Sequence, residues 1–230
     1  MSKNFLTPIV LPAGTASSAP LSLQSGTNMV TPAAGAFEYD GKVIYTTPNS
    51  TAGRGVSPSM LYYRLNSDLA GSNGTSAQKI LGVGATLNAS TVYAFQLIFT
   101  LAKTTGTASH SISIGFDGGT ATFNNVHIHG IYQILQAVPS TNNNLTTGAY
   151  FYGVHTTTAQ LTYITGIAGA VRTQTGMFSG TVSINASGTF TPQYQLSSAP
   201  GGAYSTLAGS SFAIWPIGTA GANTSVGVWA

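Results

Sequence analysis

The chain has 230 residues, of which seven are Lys or Arg and four are Asp or Glu; 43% are hydrophobic and none is cysteine. An ordinary soluble domain is about a quarter charged, so little acid, base or fixed cation is left for catalysis, and disulfide staples, thiolate metal sites and a cysteine nucleophile are excluded. Eleven Tyr, ten Phe and two Trp argue against a disordered chain, which is poor in aromatics.

The first 58 residues are punctuated by Pro8, Pro12, Pro20, Pro32, Pro48 and Pro58, which disfavour long helices and central strands. Residues 1–35 read as an extended arm with no core of its own. Its apolar residues Phe5, Leu6, Ile9, Val10 and Leu11 read as an anchor that needs a partner surface. Thr7, Pro8 and Pro12 interrupt that apolar run, so it does not read as a secretion leader. No segment approaches the ~20 apolar residues of a membrane helix, so no membrane partner is expected. Residues 36–45 read as a β-hairpin around Asp40-Gly41, a strong turn signal between β-prone flanks. Residues 1–58 are thus assigned to assembly and anchoring, and residues 59–230 to a β-sandwich.

Residues 59–70 are open to two readings, a short helix with Met60, Leu61, Arg64 and Leu65 on one side, or a β-edge. From residue 76 the chain is a succession of strand signals. Tyr93, Phe95, Leu97, Phe99 and Leu101 share one face of a strand, and His110, Ile112, Ile114 and Phe116 share another. Asp117-Gly118-Gly119 is a turn, and 140–144 a polar loop. Further strands are expected over 120–135, 149–155, 161–165, 177–185, 189–196, 211–217 and 225–229. Short strands with turn signals every ~8–12 residues, without βαβ alternation, make the chain all-β: an antiparallel, jelly-roll-like sandwich preceded by the arm and hairpin.

The outward strand positions carry Thr, Ser, Gln and Asn, where a solvent-facing sheet ordinarily carries Lys, Glu and Arg against edge pairing. Such faces suit close packing on identical neighbours. The cations Lys3, Lys42, Arg54, Arg64, Lys79, Lys103 and Arg172 are scattered, so the net charge of +3 forms no patch for nucleic acid. His127-Ile128-His129 sets two imidazoles on one face of a strand, and three copies about an axis would offer six nitrogens to an octahedral metal; otherwise both are polar residues of an exposed face. His110 reads as a hydrogen-bonded residue at the start of an inward face, and His155 as a loop residue. No G-x-S-x-G elbow is present, Glu38 and Asp40 read as hairpin residues, and neither a catalytic residue nor a cofactor is expected.

Residues 19–47 contain Ala19-Pro20-Leu21, Ser25-Gly26-Thr27, Thr31-Pro32, Gly35-Ala36, Asp40-Gly41 and the apolar Val43-Ile44-Tyr45. This run resembles a segment of tailed-bacteriophage fibre and virion proteins. The body, including residues 62–69 and 180–216, resembles virion proteins of cyanobacterial and marine phages. The last third is similar in pattern to trimeric jelly-roll heads of the complement and tumour-necrosis-factor type, through Val182–Ile184, Gly188-Thr189-Phe190 and Phe212-Ala213-Ile214. The resemblance implies a non-enzymatic, homotrimeric virion protein, made in the host cytoplasm and displayed on the particle surface. In short phage fibres a His-x-His motif of this kind holds iron on the axis. Because the segment lies near the first residue, the expectation is a capsid decoration or cement protein touching the major capsid protein or other virion proteins. The alternative is a short tail fibre or receptor-binding head for a host surface glycan. A third reading is a lectin-like adhesive domain of cellular origin.

Overall fold

The structure is a computed structural model describing residues 10–49, 53–116, 119–136, 145–155 and 164–229; residues 134–136, 145–155 and 164–166 are described by backbone alone. Three strands come first, β1 (Phe37–Tyr39), β2 (Ile44–Asn49) and β3 (Gly53–Ser57), in one small antiparallel sheet of that order. The sandwich follows with β4 (Leu61–Arg64), β5 (Leu69–Ala70), β6 (Gln78–Lys79), β7 (Ala85–Leu87), β8 (Thr91–Lys103) and β9 (His110–Gly115). It continues through β10 (Thr122–Gln136), β11 (Leu145–His155), β12 (Ile164–Ile167) and β13 (Arg172–Ala186). It closes with β14 (Gly188–Phe190), β15 (Gln193–Leu196), β16 (Ser205–Thr206) and β17 (Ser211–Thr219). The described residues contain no helix, and every strand pairing among them is antiparallel, so the expected antiparallel β-sandwich is found.

One sheet runs β11-β10-β13-β8, and β8 then pairs on its other side with β17 over one stretch and β16 over another. β4 borders β17, and β5 borders β16. The second sheet runs β12-β9-β15-β6, with the short pair β14-β7 beside it. One continuous core lies between them: Phe95 of the first sheet has ring neighbours Phe116, just past the end of β9, at 5.2 Å and Phe190 of β14 at 5.5 Å.

Period-two patterning accounts for this arrangement. In β8, Tyr93, Phe95, Leu97, Phe99 and Leu101 are buried, while Gln96 between them is exposed. The neighbouring strands meet these large residues with glycines. Phe95 pairs with Gly180, Phe99 with Gly176, and Gly130 with Phe178. A Cβ on Gly176 would stand 2.5 Å from the Phe99 ring, and one on Gly130 would stand 2.4 Å from the Phe178 ring. Glycine ordinarily weakens a strand, but here it leaves room for an aromatic ring from the next strand to lie over the backbone. The Phe99 and Phe178 rings consequently stack, with centroids 6.1 Å apart.

Of the two readings open for residues 59–70, the β-edge is found, over residues 61–64. Several other expectations need correction. The hairpin turn is longer than two residues, because Tyr39 pairs with Ile44 across Asp40-Gly41-Lys42-Val43. Gly41 takes φ of 90°, and Asp40 Oδ1 accepts from the backbone N–H of Lys42 and of Val43, each at 2.8 Å. This is an Asx turn, which satisfies the turn amides from within. A third strand, β3, joins the hairpin. The expected strand 189–196 is broken into β14 and β15, and residues 225–229 form no strand. His155 ends β11, paired with Val126, and is not a loop residue. Phe5, Leu6, Ile9, the Asp117-Gly118 turn and the loop 140–144 lie outside the described residues.

Candidate assembly surface

The outer face of the large sheet is built from the positions between the core residues. Register places one row across it as Tyr62, Ala213, Gln96, Ser179 and His129, on β4, β17, β8, β13 and β10. The adjoining rows carry Trp215, Ala94, Thr181 and His127 on one side, and Arg64, Ser211, Ile98, Met177 and Ile131 on the other. In these three rows the sole fixed charge is Arg64, on the edge strand. Met177 is 51% exposed and Tyr62 61%, among small hydroxyl and aliphatic groups. A face of this kind offers little charge to repel or desolvate when a like face approaches.

Before the sandwich, the arm is exposed along its described length. Val10 and Leu11 of the expected anchor are exposed, as are Leu21, Leu23, Met29 and Val30. It is fastened to the small sheet at three points, one of them Gly35, whose N–H donates to the Thr47 carbonyl at 2.7 Å. Gly26 donates to the Tyr39 carbonyl at 2.9 Å, and Met29 N–H donates to Glu38 at 2.6 Å. Arg54 completes the clasp, donating through Nε to Glu38 at 2.8 Å and through Nη2 to the Met29 carbonyl at 2.7 Å. The Arg54 hydrogen bond, and then the Met29 amide, hold the Glu38 carboxyl below its ordinary range. Burial opposes ionisation of Asp40, but the Val43 and Lys42 amides and the Tyr45 hydroxyl outweigh it and keep that carboxyl low as well. Burial and the bond to Asp40 push the Tyr45 hydroxyl up to about 12.

Inside the sandwich lies a polar chain. Tyr132 donates to the Gln174 side-chain carbonyl, and the Gln174 amide donates to Tyr204 Oη at 2.8 Å. Tyr204 Oη lies 2.9 Å from His110 Nε2, and His110 Nδ1 lies 2.9 Å from the Ala108 carbonyl. A carbonyl can only accept, so the network assigns the proton to Nδ1 and makes Nε2 the acceptor from Tyr204. Burial lowers the His110 pKa, as this neutral tautomer requires. Lys103 stands beside the chain at 2% exposure, its Nζ held by the carbonyls of Gly106 at 2.5 Å and Gly169 at 2.6 Å, with those of Thr105 and Ala170 further out. Burial, and secondarily the Arg172 charge, lower its pKa. A buried ammonium is costly without partners; here carbonyl dipoles surround it and tie the 104–106 turn to residues 169–170.

The structure therefore puts His110 inward, as its strand parity implies, and puts His127 and His129 outward on β10. One chain supplies these two imidazoles alone, and no group of three or more acidic or His side chains able to hold a metal occurs among the described residues. Each described acid has a structural partner: Glu38 bonds Arg54, Asp40 closes the turn, and Asp68 accepts from Ala208 N–H at 2.7 Å. Sequence reading missed the burial of Lys103, although its parity with Phe99 and Leu101 on β8 was the available signal. It also missed Gln174, which shares the inward face with Phe178.

No protein-family profile and no curated protein sequence matches the chain. Among solved structures it is similar to a chain of the structure of the infectious bursal disease virus Gx strain, at 9% identity and a TM-score of 0.20, over 79% of this chain and 44% of that one. It is also similar to the VP2 subviral particle of infectious bursal disease virus, at 12% identity and a TM-score of 0.18, over 87% of this chain and 50% of that one. The chain thus spans half or less of the length of either. At so loose a superposition the likeness defines neither a common fold nor a common role.

Proposed function

We propose that this chain is a non-enzymatic structural protein of a bacteriophage virion, a homotrimeric decoration or cement protein that stabilises a capsid shell. The observation that carries the reading is the broad outer face of the large sheet, nearly free of fixed charge. Three further features support it. The described acids are all engaged in structure and face no pocket as a pair. The arm presents exposed apolar residues with no fold of their own to bury them. Counting β4, β6, β8, β9, β12, β13, β15 and β17 as strands 1 to 8, the sheets run 1-8-3-6 and 2-7-4-5, with β10 and β11 inserted as a hairpin. We infer from this order a jelly roll, an architecture used by capsid proteins and lectins. The resemblance of residues 19–47 to phage virion segments selects the first.

In this reading the outer faces, or their edges, pack about the threefold axis and bury ~2,000 Å² or more in total. The arm reaches a neighbouring subunit or the shell. Light scattering at micromolar concentration should give three chains; a clean monomer in native buffer contradicts the reading. A low-resolution map of purified particles decides the location: many copies spread over the head fit a decoration protein. A second reading, a receptor-binding head for a host glycan, draws on the exposed Tyr62 and Tyr63 of β4, whose rings could stack on sugars. Few copies at the tail tip, with binding on a glycan array, would select it.

A further inference from the structure

The open edge of the sandwich between β4 and β7 is unfinished. Leu61 pairs with Ile214 and Tyr63 with Phe212, so both lie on the inward face of the sheet. Ile214 and Phe212 are core residues, yet Leu61 stays 49% and Tyr63 42% exposed. The second sheet does not reach over them. A groove of about 300 Å³ remains, floored by Leu81, Phe212 and Ile214 and walled by Leu61, Tyr63 and Val83. Both bordering strands have a free backbone edge: β4 pairs with β17 alone, and β7 with β14 alone, among the described residues. No residue lining the groove is charged.

The arm carries the complementary element. Residues 19–25, Ala-Pro-Leu-Ser-Leu-Gln-Ser, form no strand or helix and are exposed, and their backbone makes no hydrogen bond with other described residues. Leu21 is 64% and Leu23 38% exposed. They stand two apart, so as a strand they point to one face while Ser22 and Gln24 point to the other. The clasp at Gly26 and Met29 fixes the arm to the small sheet, and within its own chain the arm is not among the groove's walls. An apolar strip with unpaired amides and an apolar groove with unpaired edges are thus exposed in the same molecule.

We infer that residues 19–25 of one copy add as a strand to the open edge between β4 and β7 of a second copy, seating Leu21 and Leu23 in the groove. This is edge augmentation, in which main-chain bonds supply affinity and alternate side chains supply specificity. The two segments carry no charge, so nothing repels the docking and salt does not weaken it. The inference rests on the reading of the chain as a self-assembling oligomer and names the contact that joins the copies.

The absence of cysteine allows a direct test. Leu21→Cys and Val83→Cys are made in separate chains, both at exposed positions, and the purified proteins are mixed, allowed to exchange and oxidised. The expected result is a disulfide-linked pair containing one chain of each, absent from either variant alone. A chain carrying both changes should form linked oligomers, and internal closure alone would overturn the inference by placing the arm on its own groove. In parallel, Leu21→Ser with Leu23→Ser should weaken association at least ~tenfold with circular dichroism unchanged, and Leu61→Ser with Tyr63→Ser should do the same. Trimers that persist at full strength in both pairs, without a mixed cross-link, overturn the arm–groove contact and leave the oligomeric reading standing. A wild-type monomer overturns both. A glycan that binds the groove while the arm variants assemble normally also overturns it.

Discussion

Residues 37–57 hold Glu38, Asp40, Lys42 and Arg54 in one three-stranded sheet, whereas the sandwich spreads Arg64, Asp68, Lys79, Lys103 and Arg172 over residues 61–219 of the described chain. In the small sheet Val43 and Tyr45 are buried, and order comes chiefly from the Asp40 turn and the Arg54–Glu38–Met29 clasp. The sandwich buries more than twenty apolar side chains in one cluster, and its interior polarity is hydroxyl, amide and imidazole beside the single ammonium of Lys103, the one buried charge among the described residues. The contrast teaches how a chain can do without charge. Where burial is ample, apolar area and hydrogen bonds carry the fold, with one ammonium held by backbone carbonyls; where it is scant, a few paired charges hold turn and arm in place. The two regions should therefore fail under different stresses.

The strongest test strikes the sandwich core. Phe95→Ala removes a ring packed against Phe116, Phe190 and Phe212, and should cost ~3–5 kcal/mol in chemical denaturation. A loss under about 1 kcal/mol would mean that aromatic packing is not what holds this region.

Next comes Gln174→Leu. The residue is fully buried and bonds both Tyr132 and Tyr204. Leaving two buried hydroxyls short of a partner should cost ~1–3 kcal/mol. A neutral or stabilising result would show the polar chain to be replaceable by packing.

Acid should act on the same chain through His110. Its pKa is lowered in the folded state, so below the ordinary value of about 6.5 the unfolded chain takes a proton that the native chain resists. Stability is full above that value, falls as pH drops from it toward the lowered one, and levels off below the lowered one. Melting temperature should decline from pH 7 to pH 5, and His110→Gln should remove that part of the slope. An equal slope in the variant would place the titration elsewhere.

Smaller still is Glu38→Gln. It breaks the ion pair to Arg54, which is partly exposed, so the loss should be at most ~1 kcal/mol and smaller in salt. Hydrogen exchange should quicken in β1 and β3 and stay unchanged in β8 and β13. Loss of protection in β8 would show that the two regions unfold as one. Least affected should be the wild-type sandwich in molar salt, where its melting should hardly move; a large fall would show that electrostatics hold it together.

Much of the sandwich was legible because strand periodicity is local. The alternation over 91–101 and 110–116 specified which residues of β8 and β9 face the core, and it even placed His110 inward. The same rule applied to residue 103 would have turned Lys103 inward, but a lysine beside a Thr-Thr-Gly turn reads as a surface cation. Only the carbonyls of residues 169 and 170, distant in sequence, make its burial tolerable. His127 and His129 were readable as sharing a face, while whether that face meets solvent, a metal or another copy depends on neighbours that no single strand encodes.

What the sequence by itself determined is the class of the fold and its economy of charge. Strand alternation, turn residues, and the scarcity of charge and cysteine all act within a few residues or through composition alone. The tertiary structure decided the rest, because it depends on pairings between distant segments. β3, with two glycines and an arginine in five residues, carries no strand signal; it forms where the edge of β2 and Glu38 are waiting. Residues 61–64 could have closed a helix turn, but β17, about 150 residues later, supplies a backbone edge and makes them a strand. That pairing is also what leaves Leu61 and Tyr63 facing inward with nothing above them, since the second sheet ends short of β4.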